Sequence, residues 1–232
     1  MLKYVNQFFV LLFIFSFSSA HSATTTYTSQ ANYLTALGGT TVITQNFDGL
    51  TSGDIIADGD TLDNATYSYA ISGGFEILVD DYYDTTSPNN YLGTTDGSGA
   101  FFGGDSFTIT FDQTLHAIGL YVISADTIFD DDFTITTSSG QTASNSEVPD
   151  ITLSDGGAFY IGLIEDDFNL GFNSITFSSS DENYLFNIDD ITVSEVSAVP
   201  LPAAVWLFGG GLIFLTGMRR TKRNSNLTLN HI

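Results

Sequence analysis

Twenty-seven carboxylates and five basic side chains share this 232-residue chain, yet they never mix. Lys3 stands near the start, and Arg219, Arg220, Lys222 and Arg223 cluster near the end. Every Asp and Glu lies between them. Several acidic groups are spaced closely enough to share a cation: Asp58-Gly59-Asp60 with Asp63, Asp80-Asp81, Asp130-Asp131-Asp132, and Glu165-Asp166-Asp167. Calcium suits such groups, because it takes about six to eight oxygens from carboxylates, amides and carbonyls in irregular geometry. None of the runs has the spacing of an EF-hand loop. Paired carboxylates could also serve as the acid and base of glycoside hydrolysis. With so many acids, pairs arise by chance, and nothing in the sequence marks two of them out. A solvated acidic surface explains most of the charge.

The other reactive side chains are few. The histidines are His21, His116 and His231. Only His116 lies inside the body of the chain, so any Ser-His-Asp triad would rest on it alone. Its position before the run Ala117 to Ile123, on the parity of Ile118 and Leu120, reads instead as a strand-entry residue. A histidine zinc site lacks partners. There is no cysteine, which excludes disulfides, thiol catalysis and thiolate metal sites. Tyr82-Tyr83 and Tyr91 sit in loop-like sequence beside Asp and Asn, a composition that could stack and hydrogen-bond a sugar.

Charge removes whole classes of partner. Residues 21–198 contain no Lys or Arg. Such a surface repels nucleic-acid backbones. It offers no guanidinium or ammonium to a nucleotide phosphate or an anionic lipid. Divalent cations are its natural small partners.

The two ends have a different grammar. Lys3, the apolar run Phe8 to Phe17, and Ser18-Ser19-Ala20 form a secretory signal peptide over residues 1–20, cut after Ala20. The run is too short to span a bilayer. Near the other end, Val199-Pro200-Leu201-Pro202-Ala203 opens an apolar segment that reaches Met218. Its length is at the lower edge of a transmembrane helix. The triple Gly209-Gly210-Gly211 is tolerated in lipid, where the backbone must satisfy itself. Arg219, Arg220, Lys222 and Arg223 stop the segment on the cytoplasmic side, and Trp206 belongs near the opposite interface. Residues 199–223 therefore read as a motif, a C-terminal transmembrane helix and a basic cluster, and 224–232 as a polar tail. The body, residues 21–198, reads as one exported domain anchored in a membrane by a single span.

Within that domain the elements are short. Ser29 is placed to cap a helix over Ala31 to Leu37, with Tyr33, Leu34 and Leu37 on one face and Gly38-Gly39 at its end. Beyond it the period changes to two. Ser106 to Phe111, Asp132 to Thr136, Ser174 to Phe177 and Phe186 to Val193 alternate, the last with a slip at Asp189-Asp190. Phe75 to Val79, Ala117 to Ile123 and Ala158 to Ile164 are further strand runs. Nine to eleven short strands without helical crossovers predict an all-β β-sandwich with one short N-terminal helix, and the second resemblance below implies a jelly-roll-like one.

Two resemblances follow from these residues. Val199-Pro200-Leu201-Pro202-Ala203, a glycine-containing apolar helix and Arg219-Arg220-Thr221-Lys222-Arg223 together resemble the PEP-CTERM sorting signal in its VPLPA form. That resemblance implies processing by an exosortase, in bacteria that make extracellular polysaccharide. Asn224 to Ile232 extends past the point where the family usually stops. Separately, Asn46-Phe47-Asp48-Gly49-Leu50 early and Ile188-Asp189-Asp190-Ile191 late resemble jelly-roll modules of the galactose-binding and MAM type. In those a structural calcium commonly joins an early acid to one on the last strand, which implies Asp48 and Asp190 as ligands. The expectation is a non-enzymatic surface or extracellular-matrix protein associated with exopolysaccharide and binding calcium or glycan, with no cofactor required beyond such a calcium. The alternative is a secreted carboxylate-dependent glycoside hydrolase.

Overall fold

The structure, a computed structural model, describes residues 24–166 and 171–195. The expected signal peptide, the motif Val199 to Ala203, the apolar span and its basic cluster lie outside the described residues. Among the described residues, no helix is long and apolar enough to cross a membrane.

The chain enters as β1 (Thr24–Tyr27) and turns into the helix α1 (Gln30–Leu37). Next come β2 (Val42–Gln45), β3 (Ile55–Ile56), β4 (Thr61–Leu62), β5 (Ala65–Ala70), β6 (Ile77–Asp80), β7 (Tyr91–Thr94) and β8 (Phe101–Phe102). The second half holds β9 (Ser106–Ser124), β10 (Phe133–Thr137), β11 (Thr142–Ser144), β12 (Ile151–Leu153), β13 (Gly156–Glu165), β14 (Phe172–Ser179) and β15 (Leu185–Glu195). All-β architecture is as expected. There are more strands than the sequence suggested, because several are ladders of only two to four residues that leave almost no periodic signal.

Strand β9 organises the sandwich. Two expected strands, Ser106 to Phe111 and Ala117 to Ile123, are halves of this one element. Its first half pairs antiparallel with β5 and β14, and β14 continues to β10 and β11. Its second half pairs with β13 and β15. β15 in turn pairs with β2 and β7, and β7 leads on to β6 and β3. Between the halves the pairing with β14 skips from Thr110 to Leu115, and Asp112, Gln113 and Thr114 are all exposed. That irregularity bends β9 from one layer into the other.

The core follows from parity. In the second half of β9, Ile118, Leu120 and Val122 point into the main core, joined by Ile161, Leu163, Ile188 and Ile191. Ala117, Tyr121 and Ile123 point the other way, where Tyr33 and Leu37 of α1 cover them together with Tyr160. This layer is buried on both faces, so its strands read as continuous apolar runs rather than alternating ones. The opposite layer alternates, as in Phe133, Ile135 and Thr137 on the buried side of β10. Between the layers the rings stack: Phe101 on Phe107 at 5.3 Å, Phe107 on Phe177 at 5.4 Å, and Phe177 against Phe186 at 5.0 Å. Each such ring contributes about 1.5–3 kcal/mol through burial.

Two details of α1 differ from expectation. Leu34 is 41% exposed, so the buried face is Tyr33 and Leu37 alone. Ser29 has the extended backbone of an N-cap, but its side chain makes no capping bond. The first helical N–H, that of Gln30, donates to Asp150 Oδ2 at 3.0 Å, an acceptor supplied from 120 residues away.

Candidate functional site

Most of the acidic runs are architectural. Asp58 accepts the Tyr69 N–H at 2.9 Å and Asp60 the Ala57 N–H at 3.0 Å. Asp81 accepts the Ser52 hydroxyl at 2.8 Å. Buried Asp132 accepts from the Phe129 N–H, the Ser180 hydroxyl and the Tyr184 hydroxyl. Burial raises its pKa, but these three donors outweigh it and hold the carboxyl below the usual range. Glu165 is buried in β13, Asp166 receives the Thr25 hydroxyl at 3.4 Å, and Asp167 lies outside the described residues.

The pair on β15 behaves differently. Asp189 is fully buried and Asp190 half-buried. Simple alternation does not hold here, because the pairing of β15 with β9 jumps from Asp189 to Thr192 and Asp190 takes a φ of 49°. This bulge is the slip seen in the sequence. Asp189 Oδ2 accepts from the Thr85 hydroxyl, the Thr86 hydroxyl at 3.0 Å, and both the N–H and hydroxyl of Ser87 at 3.1 and 3.0 Å. Burial, reinforced by the charge of Asp190, pushes the Asp189 carboxyl up to about 6. Asp190 is raised as well, first by burial and then by the charge of Asp48, while the Thr86 hydroxyl opposes the shift.

Asp48 grips the same loop from the other side. Its Oδ1 accepts the N–H groups of Asn89 and Asn90 at 3.1 and 3.2 Å, and its Oδ2 accepts Asn46 Nδ2 at 2.9 Å. Phe47, next to it, is held at a φ of 59° with its ring buried. A bulky residue in that region costs about 1–3 kcal/mol, which the surrounding contacts must offset. The structure thus brings Asp48 and Asp190 into electrostatic reach across segment 85–90. Donor type fits an oxygen-seeking divalent ion, and no Lys or Arg in residues 21–198 can supply the counter-charge. The Asp48 oxygens are nevertheless already bonded. Among the described residues no cluster of three or more His, Asp or Glu is arranged to hold a metal.

His116 is buried at the start of the second half of β9, with Nδ1 2.9 Å from the Glu195 carbonyl oxygen. It is a strand residue, as its sequence position suggested. His21 and His231 lie outside the described residues. Of the expected sugar-stacking aromatics, Tyr91 is a correction: it is fully buried in β7 and part of the fold, because its ring points inward from a strand that carries almost no alternation. Tyr83 is half-buried and donates to the Ser98 carbonyl at 3.1 Å. Tyr82 stands 78% exposed, edge-on to Tyr83 at 4.9 Å.

A groove that the sequence did not announce runs beside the β4–β5 hairpin. Its first pocket, about 270 Å³, is walled by Thr44 and Gln45 of β2, the hairpin turn Asp63-Asn64, Gln113 at the bend of β9, and Glu195. Its apolar lining is Ile43, which is exposed, with the buried Ala65, Phe111, Leu115, Ile191 and Val193. A second pocket of about 310 Å³ shares Thr44, Gln45 and Asp63 with the first. A third, about 290 Å³, shares Leu50 and Leu62 with the second. The turn is a two-residue one: Thr61 pairs with Thr66 and Leu62 with Ala65, and Asp63 and Asn64 both have positive φ, at 48° and 65°. Short polar side chains tolerate that geometry. The Asp112 N–H donates to the Asn64 carbonyl at 3.1 Å and ties the turn to the bend. Gln45 accepts the Tyr67 hydroxyl at 2.5 Å through Oε1, while its Nε2 is shielded from solvent and has no acceptor among the described residues.

No family model matches the sequence, and no curated protein matches it. Among solved structures, the chain is similar to an adhesin domain of Lys-gingipain at 12% identity and a TM-score of 0.42, over 66% of this chain and 99% of that one. It is also similar to a xylan-binding CBM22 domain from Paenibacillus barcinonensis at 14% identity and a TM-score of 0.33, over 64% and 99%. A family 29 carbohydrate-binding module matches at 18% identity and a TM-score of 0.27, over 70% and 97%. These values describe a loose likeness of all-β folds, and no assignment rests on them.

Proposed function

We propose that this chain is an exported, non-enzymatic surface or matrix protein that associates with extracellular polysaccharide through its β-sandwich. The observation that carries this reading is the groove beside the β4–β5 hairpin, whose polar wall is built from Gln45, Asn64 and Gln113 in a domain without one basic side chain. Amide and carboxylate groups suit sugar hydroxyls, and an apolar floor suits the C–H faces of a sugar ring. Anionic ligands have nothing to pair with. The N-terminal signal would export the domain. The segment Val199 to Arg223 would hold it in the inner membrane, facing outward, until an exosortase-type enzyme cuts near Pro200 and Pro202. Calcium is the proposed structural ion, with Asp48 and Asp190 supplying charge and segment 85–90 its frame.

One observation favours the hydrolase alternative: Asp63 and Glu195 line the same pocket. The separating experiment incubates the full chain with neutral polysaccharides and measures both cosedimentation and the release of reducing ends. Cosedimentation without new reducing ends supports the binding protein. Steady release that is lost in Glu195→Gln would establish the enzyme, and neither effect would remove the polysaccharide reading.

A further inference from the structure

We propose that Tyr27, Tyr33, Tyr160 and Tyr121 form a relay that carries a one-electron oxidation inward from the surface and rests it on the Tyr121 phenol, with Asp150 as the acceptor of its proton. Nothing in the relay depends on the polysaccharide reading. The rings lie in series beneath α1: Tyr27 to Tyr33 at 5.9 Å, Tyr33 to Tyr160 at 5.5 Å and Tyr160 to Tyr121 at 5.0 Å between centroids. Tyr27 is half-buried at the outer end, and the other three are buried. Tyr160 and Tyr121 face each other as register partners on β13 and β9. Gly162 and Gly119, the next pair on the same face, make room for the rings. A Cβ on Gly162 would meet Tyr160 at 2.8 Å and Tyr33 at 3.0 Å, and one on Gly119 would strike the Tyr160 hydroxyl. Glycine weakens a strand interior, so this facing pair marks a space kept for the tyrosines.

Packing alone does not ask for phenols here. The ring stack between the layers is phenylalanine, whereas every ring of the cluster under α1 is tyrosine. The Tyr160 hydroxyl has no hydrogen-bond partner among the described residues, a cost that phenylalanine would avoid. Phenylalanine, however, cannot give up an electron to a radical oxidant as a phenol can. Residues 21–198 contain no Cys, Met or Trp, so no thiol, thioether or indole competes there. Burial holds the phenols of Tyr33, Tyr160 and Tyr121 well above their usual range, and the Asp150 hydrogen bond adds to the shift at Tyr121. All three are therefore neutral, and an oxidised one comes to rest only where its proton can leave. Tyr33 reaches the Thr192 carbonyl at 3.5 Å, which is no base. Tyr121 donates to Asp150 Oδ2 at 2.7 Å, and Asp150 is only half-buried, so the proton can pass on to water. With a peroxyl radical as oxidant the step balances. The radical takes one electron from Tyr27, which is refilled ring by ring from Tyr121. The Tyr121 O–H bond breaks and its proton goes to Asp150. The reduced oxidant takes a proton from water and becomes a hydroperoxide. The unpaired electron left on Tyr121 is enclosed, out of reach of a neighbouring chain.

The chain has no cysteine, so Thr28→Cys, at an exposed site beside Tyr27, gives a single thiol for a ruthenium photo-oxidant. The full chain in mild detergent carries Trp206→Phe throughout, which removes its one indole. Flash-quench absorption follows the tyrosyl radical, and peptide mapping of oxidised tyrosines locates it. The expected result is a long-lived radical whose products map to Tyr121. Tyr160→Phe keeps the ring and drops only the hydroxyl. It should leave the melting temperature no lower, shorten the radical lifetime several-fold, and return the products to Tyr27 and Tyr33. Asp150→Asn keeps an oxygen for the Gln30 N–H but is no base, and should cut the products at Tyr121 several-fold. The same lifetime and the same map in Tyr160→Phe would overturn the relay. So would products confined to Tyr27 and Tyr33, or to the exposed Tyr82, when all four rings are present. An undiminished yield at Tyr121 in Asp150→Asn would overturn Asp150 as the proton acceptor.

Discussion

Ser87 is joined to Asp189, 102 residues later, by two bonds to one oxygen: its N–H at 3.1 Å and its hydroxyl at 3.0 Å both donate to Oδ2. Those bonds fasten a long surface segment onto the last strand. Asp189→Ala should therefore cost more than Asp189→Asn. Alanine strands five donors, four at Oδ2 and one at Oδ1, whereas asparagine keeps one oxygen for the loop but turns its NH₂ toward the Asp190 N–H, which now donates to Oδ1 at 2.7 Å. The expected losses are about 3–5 kcal/mol and about 1–3 kcal/mol. Urea unfolding of the two variants measures the order, and equal losses would contradict the network.

The pH dependence of the calcium-free domain follows from the same carboxyl. Its folded pKa is raised to about 6 by burial and by Asp190, so the native state holds this proton more tightly than the unfolded chain. Between the ordinary carboxylate pKa and about 6 the folded protein binds more protons, and stability falls as pH rises through that window. The shift is worth at most about 3 kcal/mol. Asp132 has the opposite sign: its lowered pKa contributes stability above the ordinary value, lost as pH falls through the folded pKa. Unfolding curves in EDTA should show highest stability near the lower edge of the Asp189 window. Asp189→Asn should flatten the slope from pH 4 to 6, and a slope unchanged in that variant would assign it to general repulsion.

Calcium should raise the melting temperature clearly more than magnesium at matched ionic strength. Both ions screen an acidic domain, but magnesium insists on a tight octahedron and calcium accepts an irregular cage. Binding to the native state alone stabilises by RT ln(1 + [L]/Kd). In Asp48→Asn or Asp190→Asn the difference between the ions should vanish. Equal shifts from both ions in the wild-type protein would leave Asp48 and Asp190 as loop anchors only.

Processing of the tail is tested in cells that carry an exosortase. Replacing Pro200 and Pro202 by alanine should leave a longer, membrane-retained form. Equal mature mass and equal release from mutant and wild type would end the sorting reading. In oriented inner-membrane vesicles, added protease should digest the domain only from the exported side if Arg219 to Arg223 stop the proposed span on the cytoplasmic side.

One packing test is independent of function. The Tyr160 hydroxyl is buried without a hydrogen-bond partner among the described residues, and a Cβ placed on Gly119 would come within 1.9 Å of it. Tyr160→Phe should be neutral or stabilising by up to about 1 kcal/mol, because it removes a desolvated polar group. Gly119→Ala should cost more than about 2 kcal/mol in wild type and less in the Tyr160→Phe background. A thermal-unfolding double-mutant cycle with no coupling would disprove the contact.

The sequence by itself determined the segregation of charge and an all-β body with a short helix. Those are local or compositional properties: period two, residue type and length carry them without any partner. It also marked the slip at Asp189-Asp190. Tertiary structure decided the rest. Ser106 to Phe111 and Ala117 to Ile123 looked like separate strands because the polar Asp112-Gln113-Thr114 lies between them, and only pairing to four neighbours makes them one bent β9. Tyr91 looked like a loop aromatic until β7 buried it. Ser29 looked like a side-chain cap, but it makes no capping bond, and the acceptor at the helix start is Asp150 on the Gln30 N–H. The groove was invisible for the same reason. Gln45, Asn64 and Gln113 have no shared spacing, and amides carry no charge or period to betray them; the bend of β9 and the β4–β5 turn bring them to one wall. Long-range pairing, with its loop-closure cost, is a property of the folded whole and leaves little trace in any local window.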